Sequence, residues 1–495
     1  MIRPKSVKPC LLGEAIPECS DLATARLTVT GVTTDNRAVQ AGDLFIGVPG
    51  VHNHGAHFAD AAVSAGAVAV ATDELGADLV EADIPIVVVP DIAKKVGEIA
   101  AAIYGYPARK LTTYAITGTN GKTTTAFMID HILQALGETT GLIGTVAIRI
   151  AGVEVPAQLT TPQPADLQAM LAALVEEGGT SLVMEASSHA LAQGRINPIR
   201  FSVAGFTNLT QDHLDYHKTL ADYFEAKAQL FDNKHAQSGV VIADTRWGQI
   251  LAEREADRMD QFYTETRVPG AWSVRSHADH SFTVTNPHGE EITTYTAMPG
   301  AFNISNAALA IAMVAKAGYA LDDIANALTE NNGVSPTVPG RMELVGKRPR
   351  VVVDFAHNED ALVQAITALR PETHGRLVVI TGSAGDRDKE KRPAMANAVA
   401  TRADVLVITD DDPHSEDPAV IRSELIAGIP GQTNWIEIAD RTQAIEQTIQ
   451  EAQPEDTILI AGRGHERFQD MNGTLIELDD RDVARAALAR RKAQG

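Results

Sequence analysis

The residues best suited to chemistry begin in "TGTNGKTTT", Thr117 to Thr125. Glycines followed by a lysine and a hydroxyl residue suit a phosphate. Backbone N–H groups turn toward the anion, the ammonium meets the outer phosphates, and a threonine hydroxyl reaches a magnesium ion. The usual spacing G-x-x-x-x-G-K-[ST] would place its first glycine at position 116, where this chain has Ile116 and carries Gly118 instead. Gly118, Asn120 and Gly121, with Lys122 and Thr123 behind them, read as a nucleotide loop of altered build. Such a loop also needs an acidic metal partner at the end of a neighbouring strand. "SLVMEASSH" offers Glu185 there, and "FTNLTQDHLDYH" offers His213 beyond another strand-like run. Either residue alone is commonly structural. They count as a site only if folding brings them to the loop.

The elements that would hold these residues follow from the apolar runs. "LTTYAIT" predicts a strand leading into the loop. A helix is expected over 122–136, with Met128, Ile132, Ala135 and Leu136 on one face and Gly137 as its stop. Residues 1–110 contain "GDLFIGV" and a helix closed by Gly66 before a buried strand, and "PTVPGR" at 336–341 reads as a linker. Beyond it, "VVVDFA", "LVVITG", "VLVITD" and "ILIAG" alternate with helical segments. Continuous apolar strands alternating with helices predict parallel sheets covered on both faces. The expected fold class is α/β in three domains: a smaller N-terminal α/β domain at 1–110, a central P-loop-type, mostly parallel sheet at 111–340, and a Rossmann-like α/β domain at 341–495. Each of the last four strands runs straight into a polar cluster, "DFAHN", "GSAGDRDKEKRP", "DDDPHSEDP" and "GRGHE". Ligands bind at the carboxyl ends of such strands, so this rim is a second candidate surface.

Composition narrows the class. A chain of 495 residues exceeds one hydrophobic core. Its longest apolar runs, such as "IPIVVV" at 84–89, fall far short of a membrane span, and the N-terminus lacks the apolar stretch of a secretory leader. Cys10 and Cys19 supply neither a disulfide framework nor a metal pattern. A cytoplasmic monomer without membrane insertion is expected. The net charge of −22 argues against nucleic-acid binding. An anionic ligand would need cations concentrated at its site, and bound metal is one source.

Taken in order, the motifs resemble those of the Mur ligases, ATP-dependent amide-forming enzymes of peptidoglycan precursor synthesis. "TGTNGKTTT" looks like that family's nucleotide loop. "LTTP" (159–162), "MEASSHAL" (184–191), "QGR" (193–195), "YFEAKAQLF" (223–231), "PGAFNISNAALA" (299–310), "GRME" (340–343), "DFAHN", "GDRDKEKRP" and "GRGHE" follow in the family's sequence. The chain is most similar to members that add the third residue of the stem peptide to a UDP-N-acetylmuramoyl dipeptide. The resemblance implies that Gly118, Thr119, Asn120, Gly121, Lys122, Thr123 and Thr124 hold the ATP phosphates. It places Asn303 and Asn306 near the adenine, and Arg341, Asp354 and His357 on phosphate and ribose. Thr123, Glu185 and His213 would serve Mg²⁺, joined by Lys227 as a CO₂-derived carbamate. Without the resemblance, Lys227 reads as an ordinary helix-surface lysine. Thr160, Thr161, Ser187, Gln193 and Arg195 match contacts to the UDP-sugar-peptide. In the first domain the family's usual D-S-R reads "TDNR", so Asn36 stands where a serine is typical; an amide can still hydrogen-bond a uracil edge.

The implied chemistry is ATP-driven formation of an acyl phosphate, then attack by the amine of a free amino acid. Arg387, Gly462 and Glu466 match positions that bind that amino acid. Members adding meso-diaminopimelate typically carry D-N-P-R, whose arginine clamps a distal carboxylate. Here the loop is Asp411, Asp412, Pro413 and His414. The arginine is missing and Asp412 adds a negative charge. The expectation is therefore a distal ammonium, L-lysine first and L-ornithine second, with diaminopimelate still open. A folate-polyglutamate-type ligase and a nucleotide-binding regulator are the competing readings. The extra N-terminal domain argues against the former and the near-complete motif set against the latter.

Overall fold

The computed structural model describes residues 2–150 and 152–494 of the chain. In the first part, β1 (Gly31–Thr33), β2 (Asp43–Gly47), β3 (Ala69–Thr72) and β4 (Ile86–Val88) pair in parallel in that order. β2 and β3 are buried throughout, as strands covered on both faces must be. Helix α1 (Ile92–Ile103) follows and buries Ile92, Val96, Ile99 and Ile103.

The second sheet begins with β5 (Thr112–Thr117), and α2 (Lys122–Ala135) starts right after its loop. Met128 and Ile132 face the core as expected, and Gly137 ends the turn with φ of 86°. Then come β6 (Thr140–Ile143), β7 (Ile148–Ile150), β8 (Val153–Val155), α3 (Pro164–Glu176), β9 (Ser181–Glu185), β10 (Phe201–Phe206) and α4 (Leu220–Ala228). β11 (Ala236–Ile242), β12 (Met259–Thr264), β13 (Trp272–Ser276), β14 (Ser281–Thr285), β15 (Glu291–Tyr295) and α5 (Ala301–Lys316) complete it. The spatial order is β8-β7-β6-β9-β5-β10-β11-β12-β13-β14-β15. Pairing is parallel from β6 through β13 and antiparallel at both edges. α2 and α5 pack on one face, α3 and α4 on the other. β5 has β9 on one side and β10 on the other. That reversal opens a crevice at the carboxyl end of β5, where the phosphate loop lies.

The third sheet holds β16 (Glu343–Lys347), β17 (Arg350–Asp354), β18 (Leu377–Thr381), β19 (Val405–Ile408), β20 (Trp435–Glu437) and β21 (Thr457–Ala461). Its order is β16-β17-β21-β18-β19-β20, parallel except at β16. The four apolar runs are β17, β18, β19 and β21. A small hairpin, β22 (Phe468–Met471) with β23 (Thr474–Glu477), stands beside it. No helix of the described residues is long and apolar enough to cross a membrane.

The first unit is tied to the second through α1 and α3. Ala165 and Ala169 of α3 belong to the same apolar cluster as Val96 and Ile99 of α1. Gly97 sits at that junction, and a Cβ there would lie 2.0 Å from the Asn197 carbonyl oxygen. Gly97→Ala is therefore expected to cost about 1–3 kcal/mol through forced backbone shifts. Urea unfolding checks this; an unchanged first transition contradicts the packing described.

Candidate active site

β5 continues to Thr117, and Ile116 is a buried strand residue paired in register with Glu185. Position 116 therefore belongs to the core, and the chain can turn only from 118 onward. A Cβ at Gly118 would fall 1.9 Å from the Thr207 hydroxyl. Gly121 has φ of 89° and lies against Asn306, whose side-chain oxygen would be 2.6 Å from an added Cβ. Only glycine fits either place. The segment after β10 braces the loop: Thr119 N–H donates to the Asn208 carbonyl (2.9 Å), Asn120 N–H to Asn208 Oδ1 (3.0 Å), and Thr207 Oγ1 to the Asn120 carbonyl (2.6 Å). With those two amides engaged, the N–H groups left for an anion are those opening α2, whose N-terminus no side chain caps.

Lys122 Nζ donates to the carbonyls of Gly118 and Thr119, at 2.9 Å each. Lys227 on α4 is 1% exposed and donates to the same Gly118 carbonyl at 2.7 Å, with its amine 4.3 Å from the centre of the Tyr223 ring. Burial, reinforced by the neighbouring Lys122, holds the Lys227 amine well below the usual lysine range. Burial lowers Lys122 too, opposed by Glu185 and Asp212. His213 is depressed to about 3, first by burial and then by both lysines, so it is a neutral imidazole. Glu185 is buried at the end of β9 and accepts from Thr145 N (2.7 Å) and Thr145 Oγ1 (3.1 Å). Glu185, His213, Lys227, Lys122 and Thr123 all line one cavity of about 620 Å³.

The third sheet closes that cavity from the opposite side. Asp212 meets His357 Nε2 at 3.3 Å and Lys391 Nζ at 3.5 Å, across the two units. Burial would raise its carboxyl, yet the His357 hydrogen bond and the charges of His357 and Lys391 hold it well below the usual range. Asn120 donates to Asp360 (3.0 Å), and His465 Nε2 donates to the Thr145 carbonyl (3.1 Å). Asp354 accepts from the N–H groups of Met342 (2.7 Å) and Ala356 (2.9 Å), and Arg341 lies over the Phe355 ring.

Carboxylate oxygens of Asp411, Asp412 and Glu466 come within 4.8 Å of one another on the far wall. Burial, then Asp411 and Asp412, push Glu466 up to about 8. The expectation that Asp412 offers a free negative charge to a distal ammonium is corrected here. Arg463, fully buried, forms an ion pair with Asp412, and Asp470 N–H donates to it at 3.0 Å. The charge is already matched, which removes one of the two grounds for lysine.

Most residues expected from the sequence do converge. Thr119, Asn120, Gly121, Thr124, Thr160, Ser187, Asn303, Asn306, Arg341, Asp354, His357, Arg387, Asp411, Asp412, His414, Gly462 and Glu466 line the same cavity. Gly118 contributes its carbonyl behind the lining. Thr161 lies under it, its hydroxyl bonded to the Glu185 carbonyl (2.8 Å), and Arg195 reaches the Thr161 carbonyl (3.3 Å) while holding Gln193. Asn36 lies apart, in a short 3₁₀ turn of the first unit beside an Asp35–Arg37 pair. Sequence reasoning singled out neither Asp212, Thr145 nor Arg463. Asp212 stood within a quoted motif, but its partners come from another sheet. The reading of Lys227 as a surface lysine is overturned by its burial against Tyr223.

Glu466 yields a pH test. Its carboxyl ordinarily titrates near 4.3; with a folded value of about 8, the folded protein holds an extra proton between those limits. Stability contributed by this group thus falls as pH rises across that window. In the unliganded protein, Glu466→Gln is expected to raise the thermal midpoint relative to the parent above about pH 8. Thermal unfolding at several pH values checks this; identical profiles contradict it.

Residues 116–314 match the Mur ligase middle domain, 340–464 the Mur ligase glutamate ligase domain, and 28–104 the Mur ligase family catalytic domain. A UDP-N-acetylmuramoyl-L-alanyl-D-glutamate–2,6-diaminopimelate ligase from Streptomyces coelicolor is 41% identical, over 98% of this chain and 96% of its own. A relative of the same name from Gloeobacter violaceus is 42% identical, over 95% and 96%. A solved structure bearing that enzyme name superposes with a TM-score of 0.66 at 28% identity, covering 98% of this chain and 99% of the other. Matches to all three domains and two-fifths identity along the full length place the chain in the Mur ligase family of ATP-dependent, amide-forming ligases.

Proposed function

We propose that this ligase adds the third amino acid, 2,6-diaminopimelate, to UDP-N-acetylmuramoyl-L-alanyl-D-glutamate in peptidoglycan synthesis. The observation that carries the reading is one cavity shared by the phosphate loop, the Glu185–His213–Lys227 group and the acidic wall of Asp411, Asp412 and Glu466. ATP phosphates lie at the start of α2, with Lys122 against them. Asn303, Asn306, Arg341, Asp354 and His357 take the nucleoside side. Thr160, Thr161, Ser187, Gln193 and Arg195 hold the peptide end, and Asn36 the uridine.

The substrate's γ-carboxylate attacks the γ-phosphate, giving an acyl phosphate and ADP. The amine then attacks the acyl carbon, loses a proton, and phosphate leaves. Two anions must meet in the first step, so Lys122 and the α2 amides neutralise the charge that gathers between them. The residues around the loop fit Mg²⁺: an oxygen from Thr123, the buried Glu185, the neutral His213, and Lys227. A neutral Lys227 amine can attack CO₂ and release a proton, becoming an anionic carbamate ligand. Mg²⁺, when bound, shields the phosphate charges.

Diaminopimelate ends in both an ammonium and a carboxylate. Asp411 on that wall suits the first, and the exposed Arg387 guanidinium on the same cavity suits the second. The shared name of relatives near 41% identity points the same way. Lysine or ornithine is the second reading, favoured by His414 where an arginine would clamp the carboxylate.

ADP release with UDP-muramoyl-alanyl-glutamate, ATP and Mg²⁺ tests this, with each amino acid offered in turn. Diaminopimelate is expected to support the highest kcat/KM, and release with a folate but not the dipeptide would contradict the reading. Lys122→Ala is expected to lower kcat by ~100-fold or more without loss of fold. Lys227→Ala is expected to be inactive and partly restored by short carboxylic acids; full activity of either variant contradicts its role.

A further inference from the structure

The rim of the central sheet opposite the phosphate loop holds a second cavity. It has a volume of about 390 Å³ and lies where the amino ends of β5 and β10 meet α3 and the segment entering β5. That size falls within the roughly 300–1,000 Å³ of small-molecule sites. Its apolar wall includes Ala101 near the end of α1, Leu111 just before β5 and Ile199 just before β10. It shares no lining residue with the cavity already described.

Several polar groups on its walls are donors with nothing to donate to. Gln168 on α3 is 1% exposed, and its Nε2 has no hydrogen-bond partner among the described residues. A buried amide left unpaired costs about 1–3 kcal/mol, which an acceptor on a ligand would recover. Thr113 and Ser202 face each other across β5 and β10. Ser202 N–H donates to Thr113 Oγ1 (3.0 Å), and Thr113 N–H donates to Ser202 Oγ (3.1 Å). Each hydroxyl thus accepts once, and its own hydrogen remains available to donate.

Two arginines stand at the mouth. Arg200 spends Nε and Nη2 on the carbonyl (2.9 Å) and Oδ1 (2.6 Å) of Asn233, which leaves Nη1. Arg109 lies over the Tyr106 ring, 4.1 Å from its centre, and Tyr106 N–H is tied to the Ala101 carbonyl (2.7 Å). Both arginines are exposed, and neither has a carboxylate partner among the described residues. No aspartate or glutamate among those residues lines the cavity. In a chain of net charge −22, this is a locally positive pocket.

We propose that this cavity binds a small organic oxyanion, a phosphate ester or a carboxylate, at a site separate from the ligase cavity. The charged end meets Arg109 and Arg200, the apolar body lies on Leu111 and Ile199, and an acceptor at the far end takes the Gln168 amide. Ala101 and Arg109 come from the first unit's side of the junction, and Thr113, Gln168 and Arg200 from the second. The ligand therefore ties the two units together.

The test uses the full-length enzyme, with a non-hydrolysable ATP analogue saturating the phosphate loop. Calorimetric titrations compare 4-nitrophenyl phosphate, 4-nitrobenzoate and the uncharged 4-nitrobenzyl alcohol, so that the first two arms distinguish the oxyanions. At least one anion is expected to bind at a single site, about tenfold or more tighter than the alcohol. Gln168→Leu keeps the bulk and removes the amide, and is expected to weaken that anion about tenfold; Arg200→Ala is expected to do the same. Thermal unfolding separates binding from a structural role. Unliganded Gln168→Leu is expected to melt no lower than the parent, because it removes an unpaired buried donor. The anion is expected to raise the midpoint of the parent more than that of the variant. ADP release without the anion is expected to be the same in both proteins. Failure of both anions to bind, equal affinity for the alcohol, or affinity unmoved by either variant overturns the inference and leaves the ligase reading intact. A lower midpoint for unliganded Gln168→Leu, with anion affinity unmoved by Arg200→Ala, assigns these residues to packing alone and overturns it too.

Discussion

Two lysines donate to one carbonyl. Lys122 and Lys227 both meet the Gly118 oxygen, at 2.9 and 2.7 Å, and burial depresses both amines. Charged amines taken from water carry a penalty of several kcal/mol each unless paired. In the function proposed above, a polyphosphate offsets that penalty at Lys122, while Lys227 avoids it as a neutral amine. The glycines at 118 and 121, the brace from Asn208 and the strand-end Glu185 all serve to hold the pair at the mouth of α2. A loop that bent at 116 would break the core pairing of β5 with β9.

The same site joins two sheets. Asp212, from the segment that braces the loop, takes His357 and Lys391 of the third sheet, while His465 returns to the Thr145 carbonyl beside Glu185. In the proposed function, activation of the acyl group and capture of the amine belong to different units of the chain. These polar contacts bring them to one cavity, assembled from short stretches that lie far apart in sequence.

Much of this was readable before folding. Apolar runs located β5, β9 and the four strands of the third sheet, because buried parallel strands need continuous apolar sequence. Helix α2 followed from its period and from Gly137. The shifted glycine made sense only once β5 was seen to extend through Thr117. Lys227 was misjudged by local reading, although Tyr223 and Lys227 are spaced to share one helix face and both are buried. The charge of Asp412 was misjudged for another reason: its partner Arg463 arrives from the loop after β21, and no local pattern announces a pairing between strands.

In the proposed function, phosphate passes directly from ATP to the substrate's carboxylate in this cavity. Labelling the γ-carboxylate of the UDP-muramoyl-alanyl-glutamate with ¹⁸O and following the released phosphate by ³¹P NMR tests that claim most directly. The expected result is one labelled oxygen carried from the carboxylate into inorganic phosphate at each turnover. Unlabelled phosphate, released while the amide forms, would contradict it.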